Sequence, residues 1–170
     1  MSSRVRISDL PPQNVLLIAI SRAADTVVGP DVRRIENAWR AERPEGCFVV
    51  RIGAEGDSFD IDLTIVTCRA VVARELEKSL GYVEDELIDD FALELANIWA
   101  GRVKYELAQM GIRCNISLPC LARNWPVAPP FHVSFEHEGT TVAVGVEWGG
   151  CFPPEETSLG DLEAATMILF

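Results

Sequence analysis

Apolar and polar residues alternate in two stretches of the chain, and each is broken once by turn-forming residues. "CFVVRIG" (47–53) and "DSFDIDLTIV" (57–66) flank "GAEGD", a pattern that predicts a hairpin with Phe59, Ile61, Leu63 and Ile65 on one face. "GAEG" lacks the glycine spacing and following helix of a phosphate loop and reads as a plain turn. "FHVSFEHEGTTVAVGVEW" (131–148) predicts a second hairpin turning at Glu138-Gly139, with Phe131, Val133 and Phe135 matched to Val142, Val144 and Val146. "RCNISLPCL" (113–121) reads as one strand ending near Pro119, and "RNWPVAPP" (123–130) as a loop.

Helical periodicity fills the rest. Residues 13–28 predict a first helix, and "VVGPD" a stop and restart opening a second helical piece near 31–42. Residues 69–80 predict a helix closed by Gly81, and 84–110 a long one closed by Gly111. Residues 1–12 form a loose lead-in, and the tail after "PPEE" is expected to carry a final helical turn. The order predicts an α+β fold, a largely antiparallel sheet covered by helices, in one domain over residues 1–170.

Turned at about 100° per residue, the long helix separates into two sides. Ile88, Ala92, Leu95, Ala96, Trp99, Val103, Leu107 and Met110 share one side and should face the core. Asp90, Glu94, Asn97, Gly101 and Lys104 share the other, within roughly 80° of arc. Glu94 and Asn97, three apart, project together, with Gly101 one turn on. A glycine inside a helix costs roughly 1 kcal/mol against alanine, a cost nothing on a merely solvated face requires. Leu87, Phe91 and Ile98 border the stripe, so apolar residues lie beside polar ones, as on a docking face. From the pattern alone, an ordinary solvated face remains the leading reading.

Charge and composition narrow the choices. Hydrophobic residues make up 48% of the chain, enough for a core, and the net charge of −11 argues against nucleic acid and anionic membrane surfaces as partners. No apolar run nears the roughly 20 residues that span a bilayer, and "NVLLIAI" lacks the flanks of a signal peptide, so a cytoplasmic location is expected. The "Asn115-Ile-Ser" sequon is then without meaning. Five widely spaced cysteines without a CxxC read as reduced thiols, some buried. His132 and His137 lie far from any paired cysteine, on opposite faces of a strand, and read as surface or turn-proximal residues; no metal site is expected.

"ELANIWAGRVKYEL", preceded by "DELIDDFAL" and followed by "ISLP", resembles the signature of the CheX and CheC chemotaxis phosphatases. That signature is an acidic or small polar residue, then ExxN on a long helix, then a proline about twenty residues later. Asp90, Glu94, Asn97 and Pro119 occupy those positions, and the resemblance covers about residues 45–150. It implies a phosphatase for the aspartyl phosphate of a CheY-like receiver domain, with Glu94 and Asn97 as the catalytic pair. The Asn would place the attacking water, and the Glu would contact a receiver lysine. Asp90, Phe91, Ile98, Gly101 and Lys104 would form the docking face. The chain would need no cofactor of its own, because the Mg²⁺ belongs to the receiver. A second ExxN, as in CheC, is missing: in "DVRRIENAWRAE" Asn37 follows Glu36 directly. The resemblance is therefore to the single-motif CheX type, which implies a homodimer. The alternative is a non-catalytic CheX-like adaptor that binds a receiver or another signalling partner, which would have no need of the Asn97 amide.

Overall fold

The computed structural model describes residues 7–35, 39, 45–124 and 129–154. Two long antiparallel hairpins form the middle of its sheet. β2 (Cys47–Glu55) and β3 (Phe59–Cys68) pair along their full length, with Ile52 opposite Leu63. β6 (Phe131–His137) and β7 (Thr140–Gly150) pair likewise, with Val133 opposite Val144. Glu138 (φ 50°) and Gly139 (φ 73°) are both left-handed, the conformation that matches the twist of a two-residue hairpin. β3 and β7 join the hairpins, placing Ile65 opposite Val144.

The sheet is completed by β1 (Arg33–Ile35), β4 (Asn115–Ile116) and β5 (Cys120–Leu121). The order is β1-β6-β7-β3-β2-β4, with β5 also pairing with β2, and every pairing is antiparallel. The helices are α1 (Pro12–Val27), α2 (Arg69–Leu80) and α3 (Asp85–Gln109), preceded by a 3-10 turn, Ile7–Asp9. Gly81, at φ 80°, ends α2 and returns its N–H to the carbonyl of Glu77.

The alternation decides where the core sits. Val50, Ile52, Ile61, Leu63, Ile65, Val133, Phe135, Val142, Val144 and Val146 form one buried cluster with Leu16, Ile20 and Ala23 of α1 and Ala96, Trp99, Val103 and Leu107 of α3. Val72 and Leu76 of α2 pack with Ile88 and Ala92 of α3 in a second cluster. The opposite sheet face has its own small cluster, Val49, Val66 and Ala143, with Trp39 packed against it.

Three expectations from the sequence are corrected. The segment near 31–42 is not a second helix where it is described: Arg33–Ile35 form β1, with Arg33 opposite Glu136 and its guanidinium 2.8 Å from that carboxylate. Pairing with a ready-made edge outweighs a weak local helix preference. Residues 36–38 and 40–44 lie outside the described residues, as does the tail after Pro154.

"RCNISLPCL" is not one strand but two short ones. Ser117 still bonds Gly53, donating its N–H to the carbonyl at 2.8 Å and accepting the Gly53 N–H on its hydroxyl at 2.9 Å. Pro119 has no N–H to continue the ladder, and pairing resumes only at Cys120 opposite Arg51.

Of the histidines, His137 is turn-proximal as expected, whereas His132 is neither at a turn nor fully exposed. His132 is half-buried, with its ring centroid 5.7 Å from that of Trp39. His137 does precede the turn, but it is half-buried against Gly29, where a Cβ would stand 3.3 Å from its ring. No helix among the described residues is long and apolar enough to cross a membrane.

Candidate functional site

The 25-residue helix α3 is stiffened along its length by what lies beneath it. Ile88, Ala92, Ala96, Trp99, Val103, Leu107 and Met110 are buried as the periodicity requires, with Ala100 beside them. Leu95 is half-buried at the edge of the α2 cluster. The Trp99 ring lies 6.0 Å from that of Phe135, so its bulk is absorbed by the sheet and stays away from the exposed stripe.

Residues of the stripe divide by exposure. Asp90, Glu94 and Ile98 are exposed, and Asn97, Gly101 and Lys104 are half-buried. Phe91 is also half-buried, packed against the α2 cluster, so most of its ring serves the contact between α2 and α3. Asp90, Glu94, Asn97 and Lys104 make no side-chain hydrogen bond or ion pair among the described residues. Charged side chains nearby are of both kinds: Arg69, Arg74, Lys78 and Arg102 have carboxylate partners, whereas Glu77, Glu86 and Asp89 have none among the described residues. A Cβ added at Gly101 would meet nothing within 4 Å. The space a Cβ would take is therefore open, and a clash at that atom does not account for the glycine.

Two residues of the same helix escaped sequence reasoning. Tyr105 is 49% exposed and falls, at 100° per residue, within about 40° of Gly101. Glu106 is a carboxylate on the buried side, only 5% exposed. Arg102 Nη2 lies 2.7 Å from Glu106 Oε1, and Arg22 Nη1 of α1 lies 3.9 Å from Oε2. The signal for Glu106 was available: it falls among Val103, Leu107 and Met110 on the helical projection, with an arginine four residues before it.

Behind α3 lies a hollow of about 40 Å³ lined by Ala92, Ala96, Trp99, Arg74 and Thr67, whose hydroxyl has no partner among the described residues. It has room for a few waters. Glu94 and Asn97 line neither this hollow nor the two wider ones of about 190 and 250 Å³ beside β1. The pair stands on an open helix face, Glu94 exposed and Asn97 half-buried, which suits a macromolecular surface better than an enclosed small molecule. Near the end of α3, burial pushes the Cys114 thiol above its usual range, and the charge of Lys104 opposes this in part. No group of three or more His, Cys, Asp or Glu side chains among the described residues could hold a metal ion.

Neither a family model nor a curated protein matches the sequence. Solved structures do match the fold. CheX from Vibrio vulnificus superposes with a TM-score of 0.62 at 15% identity, over 81% of this chain and 99% of that one. A CheC-like superfamily protein from Shewanella gives the same TM-score at 20% identity, over 81% of this chain and 96% of that one. The CheX of a CheX-CheY-BeF3-Mg²⁺ complex from Borrelia burgdorferi matches with a TM-score of 0.54 at 18% identity, over 84% and 99%. The fold is that of CheX and CheC-like chemotaxis proteins: an antiparallel sheet with three helices, one of them long.

Proposed function

We propose that this chain is a phosphatase that hydrolyses the aspartyl phosphate of a CheY-like receiver domain, with Asn97 positioning the water and Glu94 securing the receiver. The observation that carries the reading is the pair itself. Glu94 and Asn97 stand one turn apart on a rigid, exposed helix, with no hydrogen bond or ion pair to the rest of the described chain. A carboxylate and an amide that no internal group engages are available to an external partner.

The chemistry asks little beyond placement. The water oxygen attacks phosphorus as the bond to the receiver's aspartyl oxygen breaks. The carboxylate leaves, the phosphoryl group departs as inorganic phosphate, and the water's proton passes to phosphate or solvent. An acyl phosphate is already a good leaving system, so holding the water in line supplies most of the acceleration. An amide can accept one hydrogen bond from that water while donating another, which fixes its orientation. Glu94 is exposed one turn earlier, and in this reading it pairs with a receiver lysine.

No metal is needed on this side of the interface, since the Mg²⁺ that meets the phosphoryl charge is the receiver's. The complex of the Borrelia CheX fold with CheY, BeF3 and Mg²⁺ supports that division. Asp90, Ile98, Gly101 and Lys104 are assigned to the docking face, with Phe91 at its edge. A homodimer completes the reading and would offer two such faces.

The test is phosphate release from a phosphorylated CheY-like receiver with and without the protein. Faster release supports the phosphatase. Binding of the receiver without faster release would leave the adaptor in its place.

A further inference from the structure

We propose that Tyr105 is an aromatic anchor for the receiver, held in its binding pose by Arg102. The inference rests on the phosphatase reading above and extends its surface by two helical turns beyond Asn97.

Ile98, Gly101 and Tyr105 follow one another at spacings of three and four, so they line up along one edge of α3. Ile98 is 46% and Tyr105 49% exposed, and Gly101 between them has open space above it. Seven residues at 1.5 Å each separate the two apolar side chains by about 10 Å along the axis. The result is a notch with a glycine floor and two apolar walls, continuous with Glu94 and Asn97. An extended receiver segment that brings backbone over Gly101 and apolar side chains against Ile98 and Tyr105 fits it.

An exposed tyrosine alone would mean little. What sets Tyr105 apart is what lies under it. The Arg102 guanidinium carbon sits over the ring, 4.5 Å from its centroid. That guanidinium is not free to swing away, because it is tied at 2.7 Å to the buried carboxylate of Glu106. Arg22 lies on the other oxygen of the same carboxylate, across from α1. A buried charge thus fixes an arginine, and the arginine fixes a ring facing solvent. A tyrosine ordered beforehand loses little freedom on binding, which is what makes such residues dominate interfaces. With its charge already met by Glu106, Arg102 acts as a strut and Tyr105 makes the contact.

The ring lies two turns from the reacting centre, so its contact is the same before and during the reaction. Loss of such uniform binding raises KM and leaves kcat alone. Tyr105→Ala should raise KM for the phosphorylated receiver about tenfold, with kcat within about twofold and melting temperature unchanged. Tyr105→Phe keeps the ring and should behave as wild type. Arg102→Met, which frees the ring without removing it, should raise KM by a smaller factor.

Titration of a BeF3-trapped receiver, run beside the kinetics, separates the two claims. Weaker binding by Tyr105→Ala, restored in Tyr105→Phe, supports the anchor even if no variant, wild type included, speeds phosphate release; that result would sink only the phosphatase. Unchanged affinity and KM in Tyr105→Ala overturn the anchor while leaving the phosphatase intact. A receiver that wild type does not bind overturns both.

Discussion

Arg22 of α1 reaches to within 3.9 Å of Glu106 of α3, a carboxylate only 5% exposed, from the side opposite Arg102. The link ties the second half of the long helix to α1 and gives a buried charge two cationic partners. Removing Arg102 alone leaves Arg22 to compensate, and Arg102→Met should cost about 1–2 kcal/mol. Removing both strands the carboxylate, so Arg22→Met/Arg102→Met should cost about 3 kcal/mol or more. Glu106→Gln should cost less than the double variant, since it discards the charge and keeps an acceptor. Denaturant titration measures all three; a double variant as stable as wild type would show that the Glu106 carboxylate does not depend on the two arginines.

Gly101 offers a test in which stability and function part company. Its Cβ position is open, so a side chain can start there without a clash, and Gly101→Leu should raise stability by up to about 1 kcal/mol through helix propensity. If the notch receives a receiver segment, the same variant should bind and dephosphorylate the receiver less well. A more stable protein with unchanged turnover would make the glycine incidental.

The thiols should react in the order of their surroundings. Cys120 and Cys151 are exposed, whereas Cys114 is buried and its thiol is held protonated by that burial. The thiolate is the reactive form, so access and ionisation work in the same direction. Alkylation followed by peptide mass mapping should show Cys120 and Cys151 modified in the native protein and Cys114 only after unfolding. Early modification of Cys114 would mean the end of α3 opens readily.

Metal dependence should belong to the receiver alone. The purified chain is expected to carry no stoichiometric metal by elemental analysis, while accelerated phosphate release should vanish on Mg²⁺ chelation and return when Mg²⁺ is restored. A tightly bound equivalent of metal per chain would contradict this.

What could be read from the sequence followed from periodicity. Phe59, Ile61, Leu63 and Ile65 alternate because the face they share is buried, and that alternation excludes a one-residue slip of the hairpin, which would turn them to the other face. The core side of α3 was equally plain from its 3.6-residue repeat. Short elements escaped. β1 is three residues long and exists because β6 has an edge to offer, a fact no local window contains. Pro119 was visible, but its effect, two short strands in place of one, depends on both still reaching β2. The stripe of Glu94, Asn97 and Gly101 was legible as a stripe. Its freedom from internal partners was not, because that depends on what α1 and α2 leave uncovered. Tyr105 was hidden for the same reason: a tyrosine near the end of an amphipathic helix reads as the edge of a core until its neighbours are placed.

The central claim is that Asn97 positions the attacking water, and single-turnover decay of a phosphorylated receiver tests it most directly. With receiver binding followed separately, Asn97→Ala should bind nearly as wild type does, since one half-buried amide contributes modestly to affinity. Its decay rate at saturation should fall about 100-fold or more. An Asn97→Ala protein that clears the phosphoryl group as fast as wild type would contradict the account.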